Sequence, residues 1–339
     1  MSNDVQNPPN PIHIFETLNA YQQTLALQSA IELDLFTAVA EGKTSSDAIA
    51  RRINAAEKGT RILCDYLTIA GLLKKNASGH YELTPDAALF LDRKSPAYLG
   101  SIVEFLSRVA EEDGFKRLTD AVRKGGTAAG SSGTMHPEHP IWVSFARSMA
   151  PLMVLPSQLI AEMLAREGPS ARVLDIAAGH GLFGIAVARQ NPAARVTAVD
   201  WAPVLEVAKE NAAAAGVIDR YETRPGSAFE VEFGAGYDTV LLTNFLHHFD
   251  PATCETLLRR VKGALTPGGR ALTLEFVPNA DRVTPPMHAG FSLTMLATTD
   301  GGDAYTFDDL DRMFRNAGFA RSELHELVPT PNRVVLAYV

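Results

Sequence analysis

The run Val173-Leu174-Asp175-Ile176-Ala177-Ala178-Gly179-His180-Gly181 ends an apolar strand-like stretch in a turn of small residues. Small residues let a ligand approach the backbone closely. A helical pattern, Leu182–Gln190, follows directly, and the N–H groups that open a helix have no partners inside it, so they face whatever fills the turn. A second apolar run closes on Asp200, 21 residues after Gly179. A carboxylate there can accept both hydroxyl hydrogen bonds of a ribose diol. Its plainer alternative is to cap the helix that begins at Pro203. Trp201 can pack on a nucleoside or be an ordinary buried side chain. Gly226-Ser227-Ala228-Phe229 lies between the third and fourth strands. Ser227 can bond a base edge there, with Ala228 and Phe229 as apolar walls, or the four residues can form a plain turn.

The elements that must hold these residues alternate in type. Arg172–Ala177, Arg195–Asp200, Tyr237–Asn244 and Arg270–Val277 have strand length, and Leu182–Gln190, Pro203–Ala215 and Pro251–Ala264 have helical period. That alternation predicts a mostly parallel α/β sheet covered by helices, with ligands at the C-terminal ends of the strands. Arg333–Val339 is expected as an edge strand pairing with Arg321–Val328 across the turn Pro329–Asn332. The N-terminal third reads as helices. One helix is expected from Ile12 to Ala40, with an apolar stripe broad enough to be buried or paired with another subunit. Thr44 is a candidate N-cap, with Asp47 three residues later. Two helices and a hairpin, Leu72–Lys75 with His80–Leu83, then form a winged-helix pattern. Helices continue over 84–165, interrupted by a Gly/Ser/Thr-rich loop from Lys124 to His139. The expected domains are 1–100, connecting helices over 101–168, and 169–339.

Composition narrows the function classes. The 339 residues carry a formal charge of −8, which disfavours a phosphate backbone as partner. A winged helix still raises the possibility of a ligand-sensing DNA-binding regulator, but its second helix has only Lys58 and Arg61 as basic groups. Two distant cysteines, Cys64 and Cys254, make a disulfide framework or cysteine zinc site unexpected, and no metal is expected. The polar, proline-rich start, Met1–Pro11, lacks a secretory signal, no apolar stretch of about 18 residues is seen and no membrane span is expected, and the two cysteines fit a reducing cytoplasm.

Two cofactors compete for the turn. Gly179-x-Gly181-x-x-Gly184 formally matches the dinucleotide fingerprint, with Asp200 as the ribose acid, so NAD is a fair reading. Against it stand Asp175 inside the strand, four residues before the first glycine, a single mononucleotide-type half and the terminal antiparallel hairpin. The first and last of these resemble methyltransferase traits, and together the three favour S-adenosylmethionine, converted to S-adenosylhomocysteine.

With these motifs the chain resembles the plant-type small-molecule O-methyltransferases and their bacterial hydroxyindole and polyketide relatives. The resemblance implies a Rossmann-like seven-stranded sheet with an antiparallel last strand, preceded by a helical winged-helix dimerisation domain, and hence a homodimer. In Thr243-Asn244-Phe245-Leu246-His247-His248, His247 falls where the family has its catalytic base. Glu275, 28 residues on, falls where the family has the acid that orients it. A histidine suits proton removal because imidazole titrates near neutrality, at about 6.5. Met149 matches a family methionine near the methyl group, and Thr243 and Asn244 fall at the cofactor. Trp142, Phe145, His248, Phe291, Met295 and Thr299 are expected around the acceptor, a small aromatic or polyketide-like hydroxyl compound. The chain departs from the family at Ala177 and Ala178, where glycines are usual, at Ser227, where an acid is common, near Thr243, where a lysine is common, and at Ala304, where a second acid is expected beside Asp303. These departures keep carbon or nitrogen methylation, or a non-methylating reaction on the same fold, as an alternative.

Overall fold

The computed structural model describes residues 9–111, 113–129 and 141–339, with the side chains of Glu104 and of 107–111 and 113 left aside. Most of the expected loop from Lys124 to His139, and the start of Met1–Pro11, lie outside the described residues. The chain divides into two compact units, Met1–Val109 and Ala110–Val339.

In the first unit the expected helix Ile12–Ala40 is three helices: α1 (Ile12–Leu18), α2 (Tyr21–Glu32) and α3 (Leu35–Ala40). Asp34 makes the second break in a left-handed conformation, φ 59°, which a short polar side chain tolerates. Its carboxylate accepts from Arg52 and Arg93, both at 3.2 Å, which pins the bend. α1 buries nothing, and Ile14, Phe15 and Leu18 stand about 60% exposed. α4 (Ser46–Arg52) is capped by Ser45, whose Oγ accepts from the Ala48 N–H. The expected cap, Thr44, instead bonds His80, the residue before β2, at 3.1 Å. α5 (Glu57–Ile69), β1 (Leu73–Lys75), β2 (Tyr81–Leu83) and α6 (Pro85–Phe90) complete the winged-helix pattern, and α7 (Gly100–Glu111) follows.

The second unit begins with α8 (Asp113–Lys116), α9 (Leu118–Lys124) and α10 (Ile141–Arg166). Among the described residues, α10 is the one helix long and apolar enough by length and composition to cross a membrane, a test that the core helix of a folded domain also passes. Its interior prolines are Pro151 and Pro156, and Met153, Ile160, Ala161 and Leu164 are buried in the core beside the sheet. Next come β3 (Arg172–Ile176), α11 (Leu182–Gln190), β4 (Arg195–Asp200), α12 (Ala202–Ala214), β5 (Tyr221–Pro225), β6 (Tyr237–Thr243), α13 (Pro251–Ala264), β7 (Leu265–Glu275), α14 (Pro286–Thr298), α15 (Phe307–Asn316), β8 (Arg321–Glu326) and β9 (Arg333–Tyr338).

The seven strands lie in the order β5-β4-β3-β6-β7-β9-β8. All neighbours are parallel except β7–β9 and β9–β8. Strand order reverses between β3 and β6, which opens a crevice at their C-terminal ends. The expected edge strand, β9, is an inner strand. Val334–Ala337 are fully buried between β7 and β8, and such a row needs cover on both faces. β8, with no buried residue and with Arg321, Glu323 and Glu326 along it, takes the edge, where charge discourages further pairing.

The third glycine of the turn is a packing residue. A Cβ on Gly184 would lie 2.8 Å from both Asp175 Oδ2 and Val196 Cγ1. Gly184→Ala is therefore expected to cost about 1–3 kcal/mol by overpacking, read as a lower midpoint in thermal unfolding.

Candidate active site

A cavity of about 540 Å³ opens at the crevice between β3 and β6. Its floor is the turn after β3. Ala177, Gly179 and Gly181 all take positive φ there, at 53°, 57° and 75°. For Ala177 that conformation is strained by about 1 kcal/mol, and such strain gathers at functional sites. A Cβ on Gly179 would meet nothing closer than 3.9 Å, so the position is open to a ligand.

Asp200 ends β4 beside this floor. Its Oδ2 accepts from the Gly179 N–H at 2.8 Å and its Oδ1 from the Trp201 N–H at 2.7 Å. The helix-cap alternative fails, because Trp201 occupies the N-cap of α12 without a side-chain bond. Burial pushes the Asp200 carboxyl up to about 6. Two backbone donors leave lone pairs for a diol, so the group fits a ribose. Asp175 is different. It is fully buried, accepts from Gly184 N–H at 3.1 Å with no other partner among the described residues, and burial raises its carboxyl well above the usual range. It supports the turn from below and does not line the cavity.

The side walls hold several expected residues. Ser227, Ala228 and Phe229 form one, with the Phe229 N–H donating to Ser227 Oγ at 3.2 Å. Thr243, Asn244 and Phe245 form another as β6 ends, and Asn244 also takes positive φ, 53°. Trp142, Phe145 and Trp201 close the far side. Trp142 meets Phe145 and His248 edge-on at 5.7 and 5.5 Å. His180, Phe183, Glu230, Phe249, Asp250 and Asp300 also line the cavity and were missed in the sequence. Only the small-residue turn signalled His180 and Phe183. The others come from three separated loops with no shared motif.

Met149, Phe291, Met295 and Thr299 do not line this cavity. Met153, one turn after Met149, is the thioether that contacts Asn244, at 4.0 Å. Met295 is buried, and Thr299 Oγ donates to the Met295 carbonyl while accepting from the Gly302 N–H. Phe291 stacks on Phe276, with ring centroids 3.8 Å apart, and meets the His247 ring edge-on at 4.9 Å.

His247 and Glu275 form a buried dyad, with Nδ1 to Oε2 2.5 Å. Glu275 Oε1 also accepts from the N–H groups of Phe245 and Leu246, at 3.0 and 2.8 Å. One carboxylate thus holds the whole turn that carries the histidine. An ionised carboxylate can only accept, so Nδ1 carries the proton and Nε2 the lone pair. From the other side the Asp303 N–H donates to the His247 carbonyl at 3.0 Å, and a Cβ on Gly302 would lie 2.2 Å from that oxygen. Asp303 points its carboxylate at Arg282, 3.3 Å away, and Ala304 is fully buried. The Asp303 carboxylate is thus engaged by a guanidinium.

His247 itself does not line the cavity; His248 does, with ring centroids 4.3 Å apart. Burial holds the His248 ring well below its ordinary range, so it is neutral. Its Nδ1 is buried and has no hydrogen-bond partner among the described residues. His180 is likewise held neutral by burial, down to about 4, and its Nδ1 accepts from the Leu182 N–H at 3.2 Å.

Comparison with known proteins places this geometry. Residues 115–320 match the O-methyltransferase domain family, and residues 15–93 match the O-methyltransferase dimerisation domain. The 3-hydroxy-5-methyl-1-naphthoate 3-O-methyltransferase of Streptomyces sahachiroi is 30% identical over 302 residues, covering 87% of this chain and 86% of that one. A crystal structure from Nostoc punctiforme PCC 73102, named as a candidate O-methyltransferase, is 53% identical over 98% of this chain and 100% of that one, with a TM-score of 0.93. The human N-acetylserotonin methyltransferase, solved with S-adenosylmethionine, shares the fold at 21% identity, over 100% of this chain and 99% of that one, with a TM-score of 0.83. The chain belongs to the S-adenosylmethionine-dependent O-methyltransferase family, with the family's dimerisation domain at its N-terminal end.

Proposed function

We propose that the chain methylates a hydroxyl of a small aromatic or polyketide-like molecule, with His247 as the general base. The observation that carries this reading is the His247–Glu275 dyad, buried at the ends of adjacent strands beside the cavity. Asp200 holds the ribose hydroxyls, the Gly179 turn admits the adjoining chain, and Ser227, Ala228 and Phe229 border the adenine. When bound, S-adenosylmethionine supplies an electrophilic methyl carbon on a sulfonium.

The chain's own part is then positioning and proton removal. His247 Nε2 takes the hydroxyl proton as the oxygen attacks, and Glu275 stabilises the resulting imidazolium through Nδ1–H. The neutral His248, with Trp142, Phe145 and Phe249, orients the acceptor. Holding the reactants in line contributes up to about 7–11 kcal/mol in favourable cases. The apolar face of α1 supports a homodimer through the N-terminal unit, because a second copy would cover Ile14, Phe15 and Leu18.

The test is release of S-adenosylhomocysteine with a panel of phenols, together with calorimetric uptake of S-adenosylhomocysteine and of NAD. Micromolar uptake of the first and none of the second is expected. Methylation confined to carbon or nitrogen acceptors would replace the hydroxyl reading.

A further inference from the structure

The described segments that line the cavity contain no lysine or arginine. Residues 141–146, 173–188, 196–208, 225–258 and 283–311 include neither, and every described residue lining the cavity falls within them. The same walls carry four carboxylates, Asp200, Glu230, Asp250 and Asp300. Among the described residues, Asp300 alone of the four is paired with a lysine, Lys124 at 3.1 Å. Asp250 caps α13, accepting from Thr253 N–H and Oγ–H at 3.0 and 2.8 Å, which holds its carboxyl below the ordinary range. The guanidiniums beside the Ser227 loop, and that of Arg147 after Phe145, are engaged elsewhere, Arg147 by Glu210 at 2.8 Å. Arg260 donates to the carbonyls of Ala228 and Val231, and Arg224 to those of Glu232 and Phe233, behind the adenine loop.

We propose that this cavity selects an uncharged, flat hydroxyarene and rejects the same ring system bearing a carboxylate. The inference rests on the methyltransferase reading above and deepens it. An anionic acceptor would lose its hydration among like charges, and the described lining residues offer it no cation, Lys124 being engaged by Asp300. The aromatic walls at Trp142, Phe145 and Phe249 supply apolar contact that a neutral ring can use fully. The same negative field favours a sulfonium beside the acceptor. It also disfavours a free phenolate, so proton removal must accompany attack and a base must stand nearby.

The test compares 6-hydroxy-2-naphthoic acid with its methyl ester, which share ring and hydroxyl and differ in charge. Each is titrated into the full chain loaded with S-adenosylhomocysteine, at low and high salt. The ester is expected to bind at least about tenfold more tightly at low salt, with a smaller gap at high salt. The double variant Asp250→Asn, Asp300→Asn should also narrow the gap, because asparagine still caps α13 and Lys124 loses its partner. An ester that binds no more tightly than the acid, whether both bind or neither does, overturns the proposal. Failure of S-adenosylhomocysteine to bind at all would count instead against the reading beneath it.

Discussion

His247→Ala is expected to lower turnover at least about 10²-fold while leaving S-adenosylhomocysteine affinity within about threefold. The ring is buried away from the cofactor floor, so its loss should act on chemistry and not on cofactor binding. Glu275→Gln should be nearly as damaging, for a different reason. The turn needs an acceptor for the N–H groups of Phe245 and Leu246, which places the amide oxygen there. The amide NH₂ then faces His247 Nδ1 and forces the other tautomer, with the proton on Nε2. The ring stays in place but has no lone pair toward the acceptor. A loss of turnover by about 10²-fold with unchanged thermal stability is the expected result. His248→Ala serves as the comparison. It should raise KM more than it lowers kcat, since that ring lines the cavity and no carboxylate orients it. If His248→Ala abolished turnover and His247→Ala did not, the two histidines would exchange roles.

Asp200→Asn should weaken S-adenosylhomocysteine binding by about 50-fold or more. Charge-assisted hydrogen bonds are worth about 1.5–3 kcal/mol each, and about 1.4 kcal/mol is a factor of ten. The wild type should also show a pH dependence that the variant lacks. The buried carboxyl titrates near about 6, above its ordinary value. A diol needs the ionised acceptor, so affinity is full well above that pH and falls as the group protonates below it. Between pH 8 and pH 5 the dissociation constant should rise about tenfold. The sign for the unliganded fold is opposite. A raised carboxyl binds its proton more tightly folded than unfolded, so this group favours the folded state as pH falls from about 6 toward its ordinary value. Calorimetry across that range on both proteins separates the two effects. A flat wild-type profile would remove Asp200 from the ribose.

Much of the cofactor half could be read along the chain because its parts are contiguous. The turn after β3, the acid ending β4 and the loop after β5 each sit within a few residues of a strand end, and strand ends share one rim. α11 and α13 begin and end where their periodicity placed them, at Leu182–Gln190 and Pro251–Ala264. The rest of the cavity could not be read so fully. Phe249, Asp250 and Asp300 reach the cavity from loops 50 residues apart, with no common period. Helix α14 carries apolar residues on every side, so periodicity could not tell that Met295 turns to the core.

His288 shows the same limit. It is buried on α14, accepts from the Val277 N–H at 2.9 Å and donates to the Pro331 carbonyl at 2.8 Å, so it ties three distant segments together. Nothing local marks it.

The sequence by itself determined the alternating α/β order, the small-residue turn and the carboxylate that ends β4, because each depends on spacing within one element, and its resemblance to the family singled out His247 and Glu275. Only the tertiary structure decided that β9 enters the sheet inside β8, that the N-terminal helix breaks at Asp34, that His248 and not His247 faces the cavity, and that Asp303 turns to Arg282. Those outcomes depend on which groups meet across long separations, and competition for burial and for hydrogen-bond partners is settled only when the whole chain is packed.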